Sequence, residues 1–105
     1  VHEGPQSLSK SNRVALRNGM VLSNEPGYYK EGSFGIRIEN LVYIKKNKFE
    51  ELTIAPIDKD LIKKKILNTD EIKWLNSYHK KVRKNLFKFM NINEKIDLIK
   101  ACSPI

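Results

Sequence analysis

The chain has 105 residues, 40% of them hydrophobic and 30% charged, a composition that suits one globular domain or part of one and excludes a multidomain protein. Its apolar runs are far shorter than the roughly 20 residues a membrane-spanning helix needs, and the single Cys102 excludes an internal disulfide and fits a reducing compartment. The net charge of +8 divides into +2 over residues 1–56 and +6 over 57–105; the tail lysines lie in helical sequence, read as a solvated face and come with no base-reading motif, so neither nucleic acid nor membrane is expected as a partner.

The opening residues, Val1-His2-Glu3-Gly4-Pro5, are turn chemistry without a basic, then apolar leader, and suggest a chain that starts inside a longer domain. Residues 20–25 and 34–45 carry the β-branched and aromatic bias of strands. Joined through Pro-Gly-Tyr-Tyr-Lys-Glu-Gly-Ser, they read as an antiparallel hairpin with a long loop, and residues 49–54 add a short strand. So few strands need a partner layer, and the residues before Met20 supply only a loop and Val14-Ala15-Leu16; half a sheet is expected to be missing. Past Pro56 the period lengthens. Ile72, Leu75, Tyr78, Val82, Leu86 and Phe89 recur at helical spacing and predict a helix of about six turns. Asn68 with Glu71 forms its N-cap and N3 pair, and Asn91 with Glu94 repeats the device before a shorter helix over 93–101. The expected class is α+β, with residues 1–56 as the sheet part and 57–105 as a helical extension packed on it.

The chemistry concentrates in the hairpin. Glu25 and Glu39 are equidistant from Gly32, so symmetric pairing sets the two carboxylates opposite each other, with Cβ atoms about 4.5–5.5 Å apart. Like charges at that range need neutralising. Arg37 shares the strand face of Glu39, whereas Ile36, Ile38 and Asn40 point to the other face. Two readings follow: Arg37 bridges both glutamates as a salt bridge, or the carboxylates hold one or two hard divalent ions with Arg37 orienting them. His2, in a polar loop, is a ligand, a substrate contact or an idle surface residue. His79 reads as a partly buried helix histidine without a catalytic role. Ser9, Ser11, Ser23 and Ser33 have no base at motif spacing, Cys102 has no visible electropositive setting, and glycines 27, 32 and 35 make no phosphate cradle.

Three motifs then stand in order: Val1-His2-Glu3-Gly4-Pro5; Gly19-Met20-Val21-Leu22-Ser23-Asn24-Glu25-Pro26-Gly27-Tyr28-Tyr29; and Phe34-Gly35-Ile36-Arg37-Ile38-Glu39-Asn40-Leu41-Val42. Together they resemble the C-terminal part of the catalytic domain of Xaa-Pro aminopeptidases, dinuclear metallopeptidases of the pita-bread fold. Leu52-Thr53, Pro56-Ile57-Asp58, Trp74-Leu75-Asn76-Ser77-Tyr78-His79 and Pro104-Ile105 extend the resemblance into the helical extension of the longer, cytosolic members. The resemblance implies a peptide substrate with proline second, two divalent ions, usually manganese, a cytoplasmic location and a homodimer. It implies that Glu25 and Glu39 are metal ligands, with Glu39 bridging both ions and Glu25 taking a proton from the bridging water. His2 would contact substrate and steady the transition state, and Arg37 would stand beside the bridging glutamate. The family's two metal-binding aspartates and its metal-binding histidine have no counterpart here, so the site is expected to be incomplete and this chain alone inactive. A prolidase-like fragment and a noncatalytic pita-bread interaction module are the alternatives.

Overall fold

Five strands form among the described residues of the computed structural model, which are residue 2 and residues 4–105; Val1 and Glu3 of the opening motif lie outside them. β1 (Val21–Asn24), β4 (Asn40–Lys45) and β5 (Lys48–Glu51) make one antiparallel sheet in the order β1-β4-β5. β2 (Gly27–Lys30) and β3 (Phe34–Arg37) form a separate two-stranded antiparallel ribbon. A period of two buries one face of β4: Asn40, Val42 and Ile44 are buried and alternate with half-buried Leu41 and Tyr43. Val42 and Ile44 close on Leu22 of β1, with Met20 packed against them.

Asn24 stands opposite Asn40 in one ladder and Gly27 opposite Arg37 in the other, so both ladders are symmetric about Gly32, as the spacing of Glu25 and Glu39 predicts. The long loop is corrected. Residues 27–30 of that segment are strand, and the chain reverses within Lys30–Ser33, where Ser33 N–H donates to the Lys30 carbonyl at 3.1 Å. Gly32, at φ +67°, takes the left-handed conformation there, which costs glycine no Cβ clash. Every residue of β2 and β3 is exposed, so the ribbon lacks the inward-apolar, outward-polar alternation that marks a half-buried strand. The last strand also moves: it begins at Lys48 and ends at Glu51. It follows a two-residue turn in which Lys46 and Asn47 both have positive φ, as a type I′ hairpin requires. Asn47 N–H donates to Asn18 Oδ1 at 3.0 Å, which holds that turn.

The chain divides between Thr53 and Ile54, and the second unit is helical. α1 (Thr69–Leu86) starts on the expected capping box of Asn68 and Glu71, and α2 (Ile92–Ala101) on that of Asn91 and Glu94. α1 is shorter than the apolar spacing suggests. It passes at Phe87–Phe89 into a 3₁₀ turn, and Phe89 points outward, 75% exposed, instead of closing the stripe. The core holds Tyr78 and Val82 of α1 with Leu98 and Cys102 at α2, and Ile54, Ile57, Leu86 and Met90 pack around it. Three side chains tie the preceding segment down. Tyr78 OH donates to the Ala55 carbonyl at 2.9 Å, and Ile57 N–H donates to His79 Nε2 at 3.1 Å. The Lys59 ammonium donates to the carbonyls of Lys100 (3.0 Å) and Ser103 (2.8 Å) and to Ser103 Oγ, placing a cation at the carbonyl-rich end of α2. Asn68 accepts from both Asp70 N–H and Glu71 N–H. Asn68→Ala is therefore expected to lower stability by about 1 kcal/mol, read as an earlier urea midpoint of the helical circular dichroism.

Candidate metal centre

Residues 25 and 26 run antiparallel to 38 and 39 in the gap between the two ladders, where Ile38 N–H donates to the Pro26 carbonyl at 3.2 Å. Glu25 and Glu39 occupy symmetric positions in that gap, and His2 joins them from the opening loop. One ligand-type atom from each of His2, Glu25 and Glu39 lies within 4.8 Å of the other two. Donors each about 2.3–2.6 Å from a shared hard cation stand at most about 5 Å apart, so the three atoms fit around one ion. Carboxylate oxygens with an imidazole nitrogen are donors that manganese and similar divalent ions accept.

Arg37 pairs with one of the two glutamates. Its Nη2 lies 3.4 Å from Glu39 Oε2 with both side chains partly exposed, and among the described residues it makes no ion pair with Glu25. The double salt bridge does not form. Glu25 is half-buried, and its Oε2 is withdrawn from water without a hydrogen-bond partner among the described residues. Leaving a polar oxygen in that state costs about 1–3 kcal/mol, more if it is charged, unless a cation or donor meets it. Glu25 is thus the group in the hairpin whose charge most needs a partner.

Strand alternation puts Gly27 and Tyr29 on the face of Glu25, and Tyr29 folds back across the ribbon. A Cβ on Gly27 would meet the Tyr29 hydroxyl at 2.7 Å, and one on Gly35 would meet its ring at 2.7 Å. The two glycines therefore serve as a floor for this ring rather than as a phosphate loop. A cavity of about 270 Å³ opens beside Glu25 and His2, walled by Gln6, Ser7, Leu8 and Ser9 of the loop and by Ser23 of β1. Asn12 folds that loop: its Nδ2 donates to the Pro5 carbonyl (2.9 Å) and Ser7 Oγ (2.6 Å), while its Oδ1 accepts Val14 N–H at 2.7 Å. Sequence reasoning set Ser9 and Ser23 aside for want of a base, yet both line this cavity. For Ser23 the signal was present, because it lies two residues before Glu25 and so shares its strand face.

The remaining candidates fall to the core. His79 is fully buried rather than partly so, as a hydrogen-bond acceptor for the backbone. Cys102 is buried too, and burial pushes its thiol up from the ordinary value, opposite to an activated nucleophile.

The strand pair thus brings two carboxylates and an imidazole, donors that could together hold one cation, next to each other ahead of the capped helices. Comparison with known proteins gives the family. Residues 1–46 match the description "Metallopeptidase family M24", and residues 45–105 match "C-terminal region of peptidase_M24". The chain belongs to the M24 metallopeptidases. It is 45% identical to aminopeptidase P2 of Arabidopsis thaliana over 78% of this chain and 14% of that protein. Over 78% of this chain and 16% of the relative, it is 44% identical to a probable Xaa-Pro aminopeptidase P of Tuber melanosporum. The crystal structure of X-prolyl aminopeptidase from Caenorhabditis elegans, described as a cytosolic enzyme with a di-nuclear active site, superposes with a TM-score of 0.72 at 36% identity. That match covers 86% of this chain and 17% of the worm chain, and carries the same succession of antiparallel strands and C-terminal helices. The chain thus spans a small fraction of the relatives it matches.

Proposed function

We propose that this chain is the C-terminal part of the catalytic domain of an Xaa-Pro aminopeptidase, supplying Glu25 and Glu39 as ligands and His2 as a substrate contact to a centre whose other ligands come from elsewhere in the complete enzyme. The observation that carries this reading is the buried, unpartnered Oε2 of Glu25, a residue whose carboxylate lies within reach of Glu39 and His2. The names of the relatives support the substrate class, a peptide with proline at the second position.

Two divalent ions, manganese on the family resemblance, supply when bound a nucleophilic water at neutral pH and a positive clamp on the reacting oxygens. The chain's own residues do the rest. Glu39 is held in orientation by the Arg37 guanidinium. Glu25 offers a carboxylate oxygen shielded from bulk water, placed to accept a proton at Oε2 as the peptide bond is attacked. His2, exposed at the cavity mouth, donates a hydrogen bond to the developing oxyanion. Cytoplasmic location rests on the worm enzyme's description as cytosolic, and a homodimer on the family resemblance.

Two carboxylates, even with the imidazole of His2 beside them, fall short of the six or so donors that each hard cation takes. The chain alone is therefore expected to bind manganese weakly and to release no N-terminal residue from an Xaa-Pro peptide. Titration of Mn²⁺ followed by electron paramagnetic resonance of the free ion tests the ligand set. Glu25→Gln and Glu39→Gln should each abolish the weak binding, and unchanged binding in both variants would refute the assignment. Saturable, manganese-dependent peptide cleavage by the chain itself would refute the need for further ligands.

A further inference from the structure

β4 begins at Asn40, directly after Glu39, and the hydrogen bonds at its start decide where that carboxylate stands. Glu39 lies in the gap between the two ladders, so its backbone is set by what is bonded on either side of it. Before it, Ile38 N–H donates to the Pro26 carbonyl at 3.2 Å. After it, backbone bonds alternate between the two neighbours of β4. Ile44 N–H donates to the Met20 carbonyl at 2.9 Å, so Asn40, Val42 and Ile44 bond toward β1, whereas Leu41 and Tyr43 bond toward β5.

Leu41 is the first residue to bond on that second side, and β5 ends at Glu51, short of it. A strand that ran on would bring Leu41 both an N–H and a carbonyl. The N–H arrives as backbone: the Leu41 carbonyl accepts Leu52 N–H at 2.8 Å and Thr53 N–H at 3.3 Å. The acceptor arrives as a side chain. Leu41 N–H donates to Thr53 Oγ1 at 2.8 Å, and Thr53 is half-buried. A hydroxyl thus stands in for a strand carbonyl two residues beyond Glu39, on a residue that shares its strand face. Valine has nearly the same shape and a similar preference for extended backbone, so neither packing nor propensity calls for the hydroxyl here, whereas Leu41 N–H does.

We infer that Thr53 is a positioning residue for the metal centre: its hydroxyl fixes the Glu39-Asn40-Leu41 backbone, and with it the point from which the Glu39 carboxylate reaches a cation. Arg37 steadies the same carboxylate from its free end, at 3.4 Å. Thr53 steadies the backbone beneath it and touches neither metal nor substrate. The inference rests on the reading of Glu39 as a ligand. It adds to that reading a residue from beyond the last strand of the sheet.

The test uses a polypeptide that carries the complete M24 catalytic domain around this chain, with Mn²⁺ binding followed by electron paramagnetic resonance of the free ion. Thr53→Val leaves Leu41 N–H unmet and should raise the Mn²⁺ concentration for half-saturation about tenfold, the lower end of what losing a ligand's supporting bond costs. Thr53→Ser keeps the acceptor and should return that concentration to within about twofold of wild type. Asn18→Ala separates positioning from mere sheet stability. Asn18 Oδ1 accepts Asn47 N–H at 3.0 Å at the far end of β4, so this variant should lower the melting temperature much as Thr53→Val does while leaving Mn²⁺ binding unchanged. Should Thr53→Val fail to fold, Thr53→Cys, whose sulfur accepts weakly, should raise the half-saturating concentration about threefold. Unchanged Mn²⁺ binding in the valine or cysteine variant overturns the proposal, as does an equal rise in Asn18→Ala or no recovery in Thr53→Ser. Glu39→Gln keeps the two possible failures apart. If it loses Mn²⁺ where Thr53→Val does not, the positioning role alone is wrong; if it keeps Mn²⁺, the ligand reading falls and takes this inference with it.

Discussion

Glu25→Gln, made in a polypeptide that carries the complete M24 catalytic domain around this chain, is expected to lower kcat for an Xaa-Pro peptide by about 10²–10⁴-fold, the range of a lost proton-transfer group. Glutamine keeps the size and one oxygen but neither the charge nor a basic site. It would leave Oε2, or the amide in its place, in the same pocket without a partner among the described residues. Both glutamates are proposed ligands, so each variant should also lose bound metal, and Glu39→Gln the more of it. Glu39 shares its charge with Arg37 at 3.4 Å, so its loss frees a cation beside the centre and should reduce bound metal as well as rate. Assaying release of the N-terminal residue alongside metal content by atomic absorption separates the two effects. If Glu25→Gln cleaves at the wild-type rate with full metal, Glu25 is a spectator and the proposed function loses its main support.

The hairpin geometry was legible because it depends on arithmetic the sequence carries. Two glutamates equidistant from a glycine imply register, and register implies proximity. The caps were legible for a similar reason, since Asn68 with Glu71 and Asn91 with Glu94 are local chemistry complete within four residues. Less visible were features that depend on what lies across space. The ribbon of β2 and β3 is exposed on both faces, so its tyrosines and isoleucine gave no period to read. Phe89 fits the apolar spacing of α1 but lies beyond the helix end at Leu86, where the 3₁₀ turn rotates it outward. His2 stood in a loop without pattern, and only the folding of residues 5–14 around Asn12 sets a wall opposite Glu25.

Acid should loosen the helical unit through His79. The ring is fully buried, and Nε2 accepts Ile57 N–H at 3.1 Å, which requires a lone pair there and so places the proton of the neutral ring on Nδ1. Nδ1 is itself buried without a partner. Burial, and then the nearby Lys59 ammonium, hold the pKa of His79 below its ordinary value. A histidine that titrates near 6.5 when unfolded and lower when folded takes up protons preferentially in the unfolded chain between those two values. Stability is therefore unaffected by His79 above about pH 6.5, falls as pH drops below it, and levels off once the folded state also protonates. The urea midpoint of the helical signal should decline from pH 7 to pH 5 in the wild-type chain. His79→Gln, whose amide oxygen can still accept from Ile57, should decline less over the same range. His79→Leu removes the acceptor and leaves Ile57 N–H unmet, so it should cost about 1–3 kcal/mol at pH 7 while also flattening the acid limb. Parallel slopes in the wild type and both variants would assign the acid sensitivity to other groups. A steeper loss confined to wild type would identify the tie between α1 and the Ala55–Ile57 segment as the point where protons enter.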